Sequence, residues 1–440
     1  MTYRQVDVLE VWAWDEWVGA VARDPDTGRY VFAYTPEWTS HGVELSPLFM
    51  ALRDEPYDIS QWPELKPEDF NFLPPLLADS LPDAFGNALV NAWMAEQGIA
   101  SDVISPLDRL AYAADRAPGA LEFRPSALES TGGPLTAFQL ADLVVAARRT
   151  VRGELSSDAA SRKVLDELIQ VGTSAGGARA KAVVAFNPTT YQIDSAFAPA
   201  QKGFEQWLIK LDGVSDLGMD GHGSGLGESA PYGRIEYAYY EMASAAGLTM
   251  MECRLHHEGP RRHFMTKRFD RGENGEHHHV ITLCALMNLD ARLVGVHSYD
   301  QYLQAVSRLS LGKDDLRQAY RRMVFNVMAV NRDDHTKNFS FLRRRNSGWE
   351  LSPAYDVTHN YRAASEWTQR HNLSVNGRTT EIRLSDLYQV GERHDVPGYK
   401  RVVREVRDAV DSWPAFASRA DVAIAYVERI ADDMDRFRPS

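Results

Sequence analysis

Three residues in the second half of the chain have the spacing that kinases use for phosphoryl transfer. Asp333 is followed by Asn338 five residues later and by Asp356 after a further eighteen. In kinases, the first Asp accepts the proton of the attacking hydroxyl, while the Asn and the later Asp hold Mg²⁺ against the ATP phosphates. We therefore predict that Asp333 is a catalytic base and that Asn338 and Asp356 are Mg²⁺ ligands. Lys337 is a second catalytic candidate, because its ammonium would reach the transferring phosphate.

The residues within this motif leave a second interpretation open. Asp334 and His335 are expected to support the loop, but Asp-Asp-His also suits a metal-hydrolase ligand set or a polar turn. A kinase is favoured because a helix is predicted before the motif and a strand carrying Asp356 is predicted after it. A glycine loop and a strand lysine lie upstream, in the order that kinases use.

The glycine loop is a candidate phosphate-binding element. Residues 172–177 read Gly-Thr-Ser-Ala-Gly-Gly and join two predicted strands. They contain no Gly-Lys-Ser/Thr triplet, which excludes a Walker A loop. In a strand-loop-strand lid, backbone N–H groups approach phosphates without interference from side chains.

Lys210 is the candidate partner of the α- and β-phosphates. It lies in a strand predicted over residues 204–211, on the face that also carries Leu208, while apolar residues occupy the other face. Glu236, at the start of the next predicted helix, is the candidate ion-pair partner of this lysine.

The end of the last strand in the first half offers contacts for adenosine. Lys267 and Phe269 stand where a kinase chain crosses between lobes, and Asp270 would meet the ribose or pair with Arg268. The run His277–His279 that follows predicts a solvated or structural turn instead of a metal site, because neighbouring residues point in different directions.

The elements that must position these residues are mainly strands in the first half and helices in the second. Strands are predicted over residues 6–11, 30–34, 164–171, 182–186, 204–211 and 263–268. Helices are predicted over residues 83–97, 235–246, 316–328 and 424–437. Asp83 is predicted to cap the first helix and Gly98 to end it, and Asp314 or Asp315 to cap the third.

Composition excludes several classes of protein. The chain has 440 residues, 44% of them hydrophobic, with two cysteines and a net charge of −13. We expect a soluble, cytoplasmic protein, because there is no disulfide framework, signal-peptide pattern or membrane-spanning run of about 18 apolar residues. The acidic charge argues against unaided DNA binding. The basic pair Arg321-Arg322 is expected on the solvent face of a helix, and residues 343–345 in a surface turn.

Together these segments resemble the HipA family of bacterial serine/threonine kinases over nearly the whole chain. The resembling stretches are residues 32–38, 45–48, 79–83, 174–181, 207–211, 268–271, 333–340 and 355–357. The resemblance implies a two-lobed, protein-kinase-like α+β fold with a β-rich N-lobe, an extra N-terminal subdomain and a helical C-lobe. The corresponding domains are the N-terminal subdomain (1–130), the N-lobe (131–268) and the C-lobe (269–440).

The resemblance also implies site residues and cofactors. The cofactors are ATP and Mg²⁺, with Lys210 as the ATP lysine. The family's phosphate loop matches Ser174, Ala175, Gly176, Gly177, Ala178 and Lys181. Ser174 matches a serine that family members autophosphorylate, which ejects the loop and switches the kinase off. A phosphate there would repel ATP, since it adds nearly two negative charges.

The partners implied by the resemblance are proteins. Family members phosphorylate a protein such as an aminoacyl-tRNA synthetase and bind a small HipB-like helix-turn-helix antitoxin that carries the pair to DNA. The acidic charge agrees with DNA contact being mainly the antitoxin's task.

The glycine-rich stretch over residues 218–227 departs from the family pattern. The alternatives are a small-molecule or lipid kinase, a non-catalytic DNA-associated co-repressor and a metal-dependent hydrolase.

Overall fold

The computed structural model describes residues 5–127, 147, 180–196, 202–212, 214, 231–273 and 275–440. The chain forms two compact units, Met1–Ala230 with His256–Val280, and Pro231–Leu255 with Ile281–Ser440. The predicted strand over residues 164–171, the glycine segments at 172–179 and 218–227, and the predicted domain boundary at residue 130 lie outside the described residues. The domain boundaries therefore stay a prediction.

An antiparallel four-stranded sheet begins the first unit. Its strands are β1 (Val8–Ala13), β2 (Glu16–Arg23), β3 (Tyr30–Tyr34) and β4 (Leu121–Arg124), in the order β3-β2-β1-β4. β1 and β3 confirm the predicted strands. β2 is not among the predicted strands. Only Trp14 and Asp15 separate it from β1, and they are not a usual turn pair. Both have positive φ, 54° and 65°, as in a hairpin turn that usually carries Asn-Gly.

Four helices lie in the chain between β3 and β4. They are α1 (Pro36–His41), α2 (Pro75–Ala78), α3 (Ala84–Glu96) and α4 (Pro106–Ala113). α3 begins as predicted, because Asp83 Oδ1 accepts a hydrogen bond from the Gly86 N–H at 2.7 Å. Gly98 follows the end of α3 with a φ of +78°, which is the left-handed conformation that favours glycine.

A second sheet in the first unit carries the candidate ATP lysine. Its strands are β5 (Lys181–Phe186), β6 (Ile193–Ser195), β7 (Glu205–Lys210), β8 (Cys253–Glu258) and β9 (Arg261–Lys267), in the order β6-β5-β7-β9-β8. Trp207 and Ile209 are buried in one core cluster with Phe85 and Leu89 of α3. Lys210 lies on the opposite, half-buried face of β7, as the alternation predicted.

The second unit is mainly helical in its described residues, as predicted. Its helices are α5 (Tyr232–Ala245), α6 (Leu283–Met287), α7 (Tyr299–Arg308), α8 (Lys313–Met328), α9 (Leu384–Arg393), α10 (Tyr399–Asp411), α11 (Trp413–Arg419) and α12 (Ile424–Arg436). The short strands are β10 (His279–Thr282), which leads into this unit, β11 (His297–Ser298), β12 (Ser340–Arg343), β13 (Trp349–Leu351) and β14 (Leu373–Ser374). None of the helices described is long and apolar enough to cross a membrane.

Helix α8 is the support of the candidate catalytic loop. Its predicted apolar stripe is buried throughout, namely Leu316, Ala319, Tyr320, Met323, Val324, Val327 and Met328. The predicted cap is wrong, because Gly312 has the extended backbone of an N-cap and Asp314 and Asp315 lie in the first turn. Acidic side chains there interact favourably with the helix dipole.

The expectation that Arg321 and Arg322 face solvent is also wrong. They are 7% and 3% exposed. Arg321 donates to the Ala246 carbonyl at 2.5 Å, just after the end of α5, and Arg322 donates to the Ser352 carbonyl. A cation suits the position of Arg321, because carbonyl groups near a helix C-terminus lack intrahelical donors.

Candidate active site

The predicted catalytic loop follows α8 and is held by two side-chain hydrogen bonds, one to a residue outside the loop and one within it. Thr336–Asn338 form one 3₁₀ turn. The Thr336 hydroxyl donates to the Leu289 carbonyl at 2.8 Å, and Asn338 Nδ2 donates to the Asp333 carbonyl at 2.7 Å. The second bond places the predicted base and a predicted metal ligand in one closed turn.

Asp333 is accessible in this turn, while one of its carboxylate oxygens is held. Its side chain is 27% exposed. Trp367 Nε1–H donates to Asp333 Oδ1 at 2.8 Å, and His335 Nε2 lies 3.7 Å from the same oxygen. The Lys337 N–H donates to His335 Nδ1 at 3.2 Å, which fits the supporting role expected of His335. Trp367 was not predicted as a site residue, because no local pattern links it to Asp333, which lies 34 residues earlier in the chain.

Asp334 anchors the loop in the interior of the second unit. It is 1% exposed. Its carboxylate accepts from the Tyr299 hydroxyl at 2.7 Å and from the Asn372 N–H at 2.7 Å, and it lies 2.8 Å from His371 Nδ1. These partners replace the water that a buried carboxylate loses. Burial and the adjacent Asp334 charge raise the pKa of Tyr299 well above its usual value, so its hydroxyl stays a donor.

Asp356 lies in a bend with a left-handed backbone. The predicted strand at this position is wrong, because β13 ends at Leu351 and the φ of Asp356 is 52°. Such a conformation is uncommon outside glycine and needs support from its surroundings. Tyr355 supplies support, because its hydroxyl donates to the Lys337 carbonyl at 2.8 Å and lies 2.5 Å from the Ser340 hydroxyl. These contacts join the bend to the end of the catalytic loop.

The donor set of the loop and bend fits Mg²⁺. Asn338 uses its side-chain nitrogen within the loop, so its amide oxygen is the atom that would bind a metal, and Asp356 provides a carboxylate. Mg²⁺ commonly takes one or two protein oxygens and completes its shell with phosphates and water. A zinc hydrolase needs at least three protein ligands. In the part of the chain that the structure describes, no group of three or more His, Cys, Asp and Glu side chains is placed to hold a metal ion.

Two of the three lysines predicted to contact the nucleotide, Lys210 and Lys181, differ in their surroundings. Lys210 is half-buried, with its ammonium 5.8 Å from the centre of the Phe264 ring. Lys181 is 1% exposed, and its ammonium lies 2.7 Å from Asp83 Oδ2. A phosphate would reach Lys181 only if this buried pair opened. The remaining predicted phosphate-loop residues lie outside the described residues, namely Ser174, Ala175, Gly176, Gly177 and Ala178.

Asp270, the predicted ribose contact, is the centre of a buried ion cluster. Its carboxylate accepts from Arg268 at 2.9 and 2.6 Å, from Arg271 at 2.8 Å and from the Gly119 N–H at 2.9 Å. Burial alone would raise the pKa of Asp270, but the two guanidinium charges and these hydrogen bonds hold it well below its ordinary value. Of the two predicted roles, the structure shows the pair with Arg268.

Lys267 and Phe269 are more accessible than Asp270. The Lys267 ammonium lies 2.7 Å from Glu205 Oε1, and these side chains are 29% and 31% exposed. Phe269 is half-buried. Partly exposed ion pairs contribute little stability, so Lys267 can exchange Glu205 for a nucleotide group at small cost.

The adjacent histidines have structural surroundings, as predicted. His279 is fully buried, with Nε2 2.8 Å from the Leu45 carbonyl oxygen, and the His277 carbonyl accepts from Trp14 Nε1 at 2.7 Å. Burial, assisted by two nearby arginine charges, lowers the pKa of His277 to about 4. This histidine is therefore neutral at pH 7.

Family models match both parts of the chain. The HipA N-terminal domain matches residues 9–124, and the HipA-like C-terminal domain matches residues 173–430, which is more than half of the chain. The chain belongs to the HipA family. This confirms the resemblance drawn from the sequence motifs.

The HipA fold extends over nearly the whole chain. A chain in the structure of the Shewanella oneidensis MR-1 toxin–antitoxin complex of HipA, HipB and operator DNA matches with a TM-score of 0.67. The match covers 98% of this chain and 96% of that chain at 14% sequence identity, a level that shows the fold alone. The predicted kinase-like α+β fold is therefore confirmed.

Two proteins that are named as kinases show weaker similarity to this HipA-family chain. "Putative kinase Y4dM" of Sinorhizobium fredii (strain NBRC 101917 / NGR234) is 24% identical over 258 residues. That match covers 55% of this chain and only 59% of the relative's length. The Helicobacter pylori proinflammatory kinase CtkA matches 52% of this chain and 92% of its own at 14% identity, with a TM-score of 0.31, which is too low to indicate a common fold.

Proposed function

We propose that this HipA-family protein is an ATP- and Mg²⁺-dependent serine/threonine protein kinase. The observation that carries the proposal is the closed turn in the second unit. Asn338 is bonded to the Asp333 carbonyl, the Asp333 carboxylate is accessible, and the buried Asp334 anchors the turn. Phosphoryl transfer depends on such positioning together with neutralisation of phosphate charge.

The proposed reaction assigns one task to each residue of the turn and the bend. The oxygen of the acceptor hydroxyl bonds to the γ-phosphorus of ATP while the bond from that phosphorus to the ADP oxygen breaks. Asp333 accepts the proton that the hydroxyl loses. Lys337, which is exposed, stabilises the charge on the transferred group. Asn338 and Asp356 would hold Mg²⁺, which supplies charge neutralisation when bound.

The proposed nucleotide contacts come from the first unit. Lys210 binds the α- and β-phosphates. The other proposed contacts are Ser174, Ala175, Gly176, Gly177, Ala178, Lys181, Lys267, Phe269 and Asp270. We further propose that the kinase phosphorylates its own Ser174 and is switched off by it, since a phosphate there would repel those of ATP.

The proposed partners are those of a toxin–antitoxin system. A HipB-like helix-turn-helix antitoxin would bind this chain and make most of the DNA contact, and a protein such as an aminoacyl-tRNA synthetase would accept the phosphate. The structural match to a complex of HipA, HipB and operator DNA supports the antitoxin. The net charge of −13 supports DNA contact through the partner.

A radiolabelled ATP assay with mapping of the phosphorylated residue tests the proposal. With Mg²⁺, the wild-type protein is expected to label its own chain at Ser174, and a chelator is expected to stop the reaction. Asp333→Asn is expected to lower the rate about 10²–10⁴-fold, the usual contribution of a general base. Asp432→Asn makes the same change at an exposed position of α12 and is expected to keep the wild-type rate. A wild-type rate in Asp333→Asn would show that the proposal is wrong.

The same assay and two binding measurements separate the alternatives. Label in an added phosphoinositide or sugar, with none in protein, would indicate a lipid or small-molecule kinase. Failure of Mg²⁺ and ATP to raise the melting temperature would favour a non-catalytic co-repressor. Tight Zn²⁺ binding without nucleotide binding would favour a hydrolase.

A further inference from the structure

Trp367 donates a hydrogen bond to the side chain that the proposed kinase uses as its base. Trp367 Nε1 lies 2.8 Å from Asp333 Oδ1. The indole ring also contacts the His335 imidazole, with ring centroids 5.8 Å apart. A carboxylate offers about four acceptor sites on its two oxygens. The bond from Trp367 therefore occupies one site on Oδ1 and leaves Oδ2 for an acceptor hydroxyl.

The backbone around Trp367 is held independently of its indole ring. Asn372 Nδ2 donates to the Trp367 carbonyl at 3.2 Å and to the Arg332 carbonyl at 2.7 Å. The Arg332 guanidinium donates to the Gln369 carbonyl and lies 3.9 Å from the centre of the Phe437 ring. Arg332 is the residue immediately before Asp333. The segment that carries Trp367 is thus attached to the loop that carries the base.

We propose that Trp367 is a positioning residue that fixes the carboxylate rotamer of Asp333, so that Oδ2 is presented to the acceptor hydroxyl. The inference rests on the proposed kinase function. The terminal torsion of an aspartate side chain is broad and roughly two-fold, so a fixed donor on Oδ1 restricts it to one orientation. Proton acceptance from the hydroxyl needs such alignment. The opposite role, a gate that blocks the base, predicts faster transfer when the indole N–H is removed.

Two substitutions at position 367 separate hydrogen bonding from packing. Trp367→Phe retains an aromatic ring and removes the N–H donor. Trp367→His retains a donor, because imidazole Nε2 occupies the same place in its five-membered ring as indole Nε1. Trp17→Phe is the matched control. It also removes one indole hydrogen bond, to the Gly19 carbonyl at 2.9 Å in the first unit.

Steady-state kinetics of phosphate transfer and melting temperatures test the proposal. We expect Trp367→Phe to lower kcat about tenfold, which corresponds to about 1.4 kcal/mol, with the KM for ATP and the melting temperature unchanged. Trp367→His is expected to stay within about threefold of the wild-type kcat, and Trp17→Phe to match it.

Three results would overturn the positioning role. They are an unchanged or increased kcat in Trp367→Phe, an equal loss of kcat in Trp367→His, and a loss accompanied by a lower melting temperature, which would indicate packing. Failure of the proposed function gives a different result, because the wild-type protein would then transfer no phosphate or Asp333→Asn would remain active. An active wild type and an inactive Asp333→Asn, with kcat unaffected in Trp367→Phe, would reject the role of Trp367 alone.

Discussion

Replacing Asp83 with Asn is expected to destabilise the first unit through Lys181. Asp83 Oδ1 caps α3 by accepting from Gly86, while Oδ2 lies 2.7 Å from the Lys181 ammonium. The side chains of Lys181 and Asp83 are only 1% and 8% exposed, so neither ion is hydrated as it would be in the unfolded chain. Asn at position 83 keeps an oxygen for the cap but removes the negative charge. The lysine cation then stays buried without this carboxylate.

The structure sets the expected size of the effect. Removing one member of a buried ion pair costs about 3–5 kcal/mol, because the charge that remains in the interior loses its attraction to that partner. We expect about 3 kcal/mol for Asp83→Asn, since the new amide oxygen still accepts a hydrogen bond. Asp314→Asn is the matched control. Its partner is Arg317 at 2.8 Å, and the two side chains are 86% and 30% exposed, so this pair is expected to contribute little.

Denaturant unfolding measures the free energy of unfolding of both variants. A separate calorimetric scan shows whether the two units unfold in separate transitions. The double variant Asp83→Asn with Lys181→Met removes both charges at similar volume. It is expected to recover part of the loss, because no buried cation remains. The reasoning is refuted if Asp83→Asn unfolds at the same denaturant concentration as Asp314→Asn. It is also refuted if the double variant is less stable than Asp83→Asn alone, because removal of the buried cation would then have recovered nothing.

Two further substitutions test the bend and the histidine run. Tyr355→Phe removes the hydroxyl that joins the Asp356 bend to the Lys337 carbonyl. It should lower the rate of phosphate transfer about threefold to tenfold, which is the effect of one ordinary hydrogen bond. A wild-type rate would contradict this role of Tyr355. For His277, burial lowers the folded-state pKa to about 4, against about 6.5 in an unfolded chain. The unfolded state therefore binds the proton first, and the contribution of His277 to stability is complete above pH 6.5 and lost as the pH falls from 6.5 to 4. His277→Gln should lose stability less steeply over this range in unfolding midpoints measured at fixed pH, and equal slopes would count against the assignment.

The predictable parts of this fold are those with strong local patterns. Seven apolar residues at intervals of three and four identified α8, and an N-capping Asp83 fixed the start of α3. Alternation placed Lys210 opposite the buried face of β7. In each case neighbours in the chain determine the structure, so a single sequence carries the signal.

The parts that were missed have two causes. β2 was missed for a local reason, because it follows a turn of Trp14 and Asp15, which are not a usual turn pair. The other two depend on contacts between residues far apart in the chain. Arg321 was predicted to face solvent, but it donates to the Ala246 carbonyl just after the end of α5, 75 residues earlier in the chain. Trp367 lies 34 residues beyond Asp333, and only the fold brings its indole to the carboxylate.

Two adjacent carboxylates in the candidate site differ entirely because of these distant contacts. Asp334 is buried and accepts from Tyr299 and the Asn372 N–H, so its role is to hold the loop. Asp333 is accessible and accepts from Trp367, so it alone can meet an acceptor hydroxyl. The motif spacing selects Asp333 as the base, and the fold gives the physical reason for that selection. A base must exchange a proton with a substrate, whereas an anchor must be removed from water and supplied with donors.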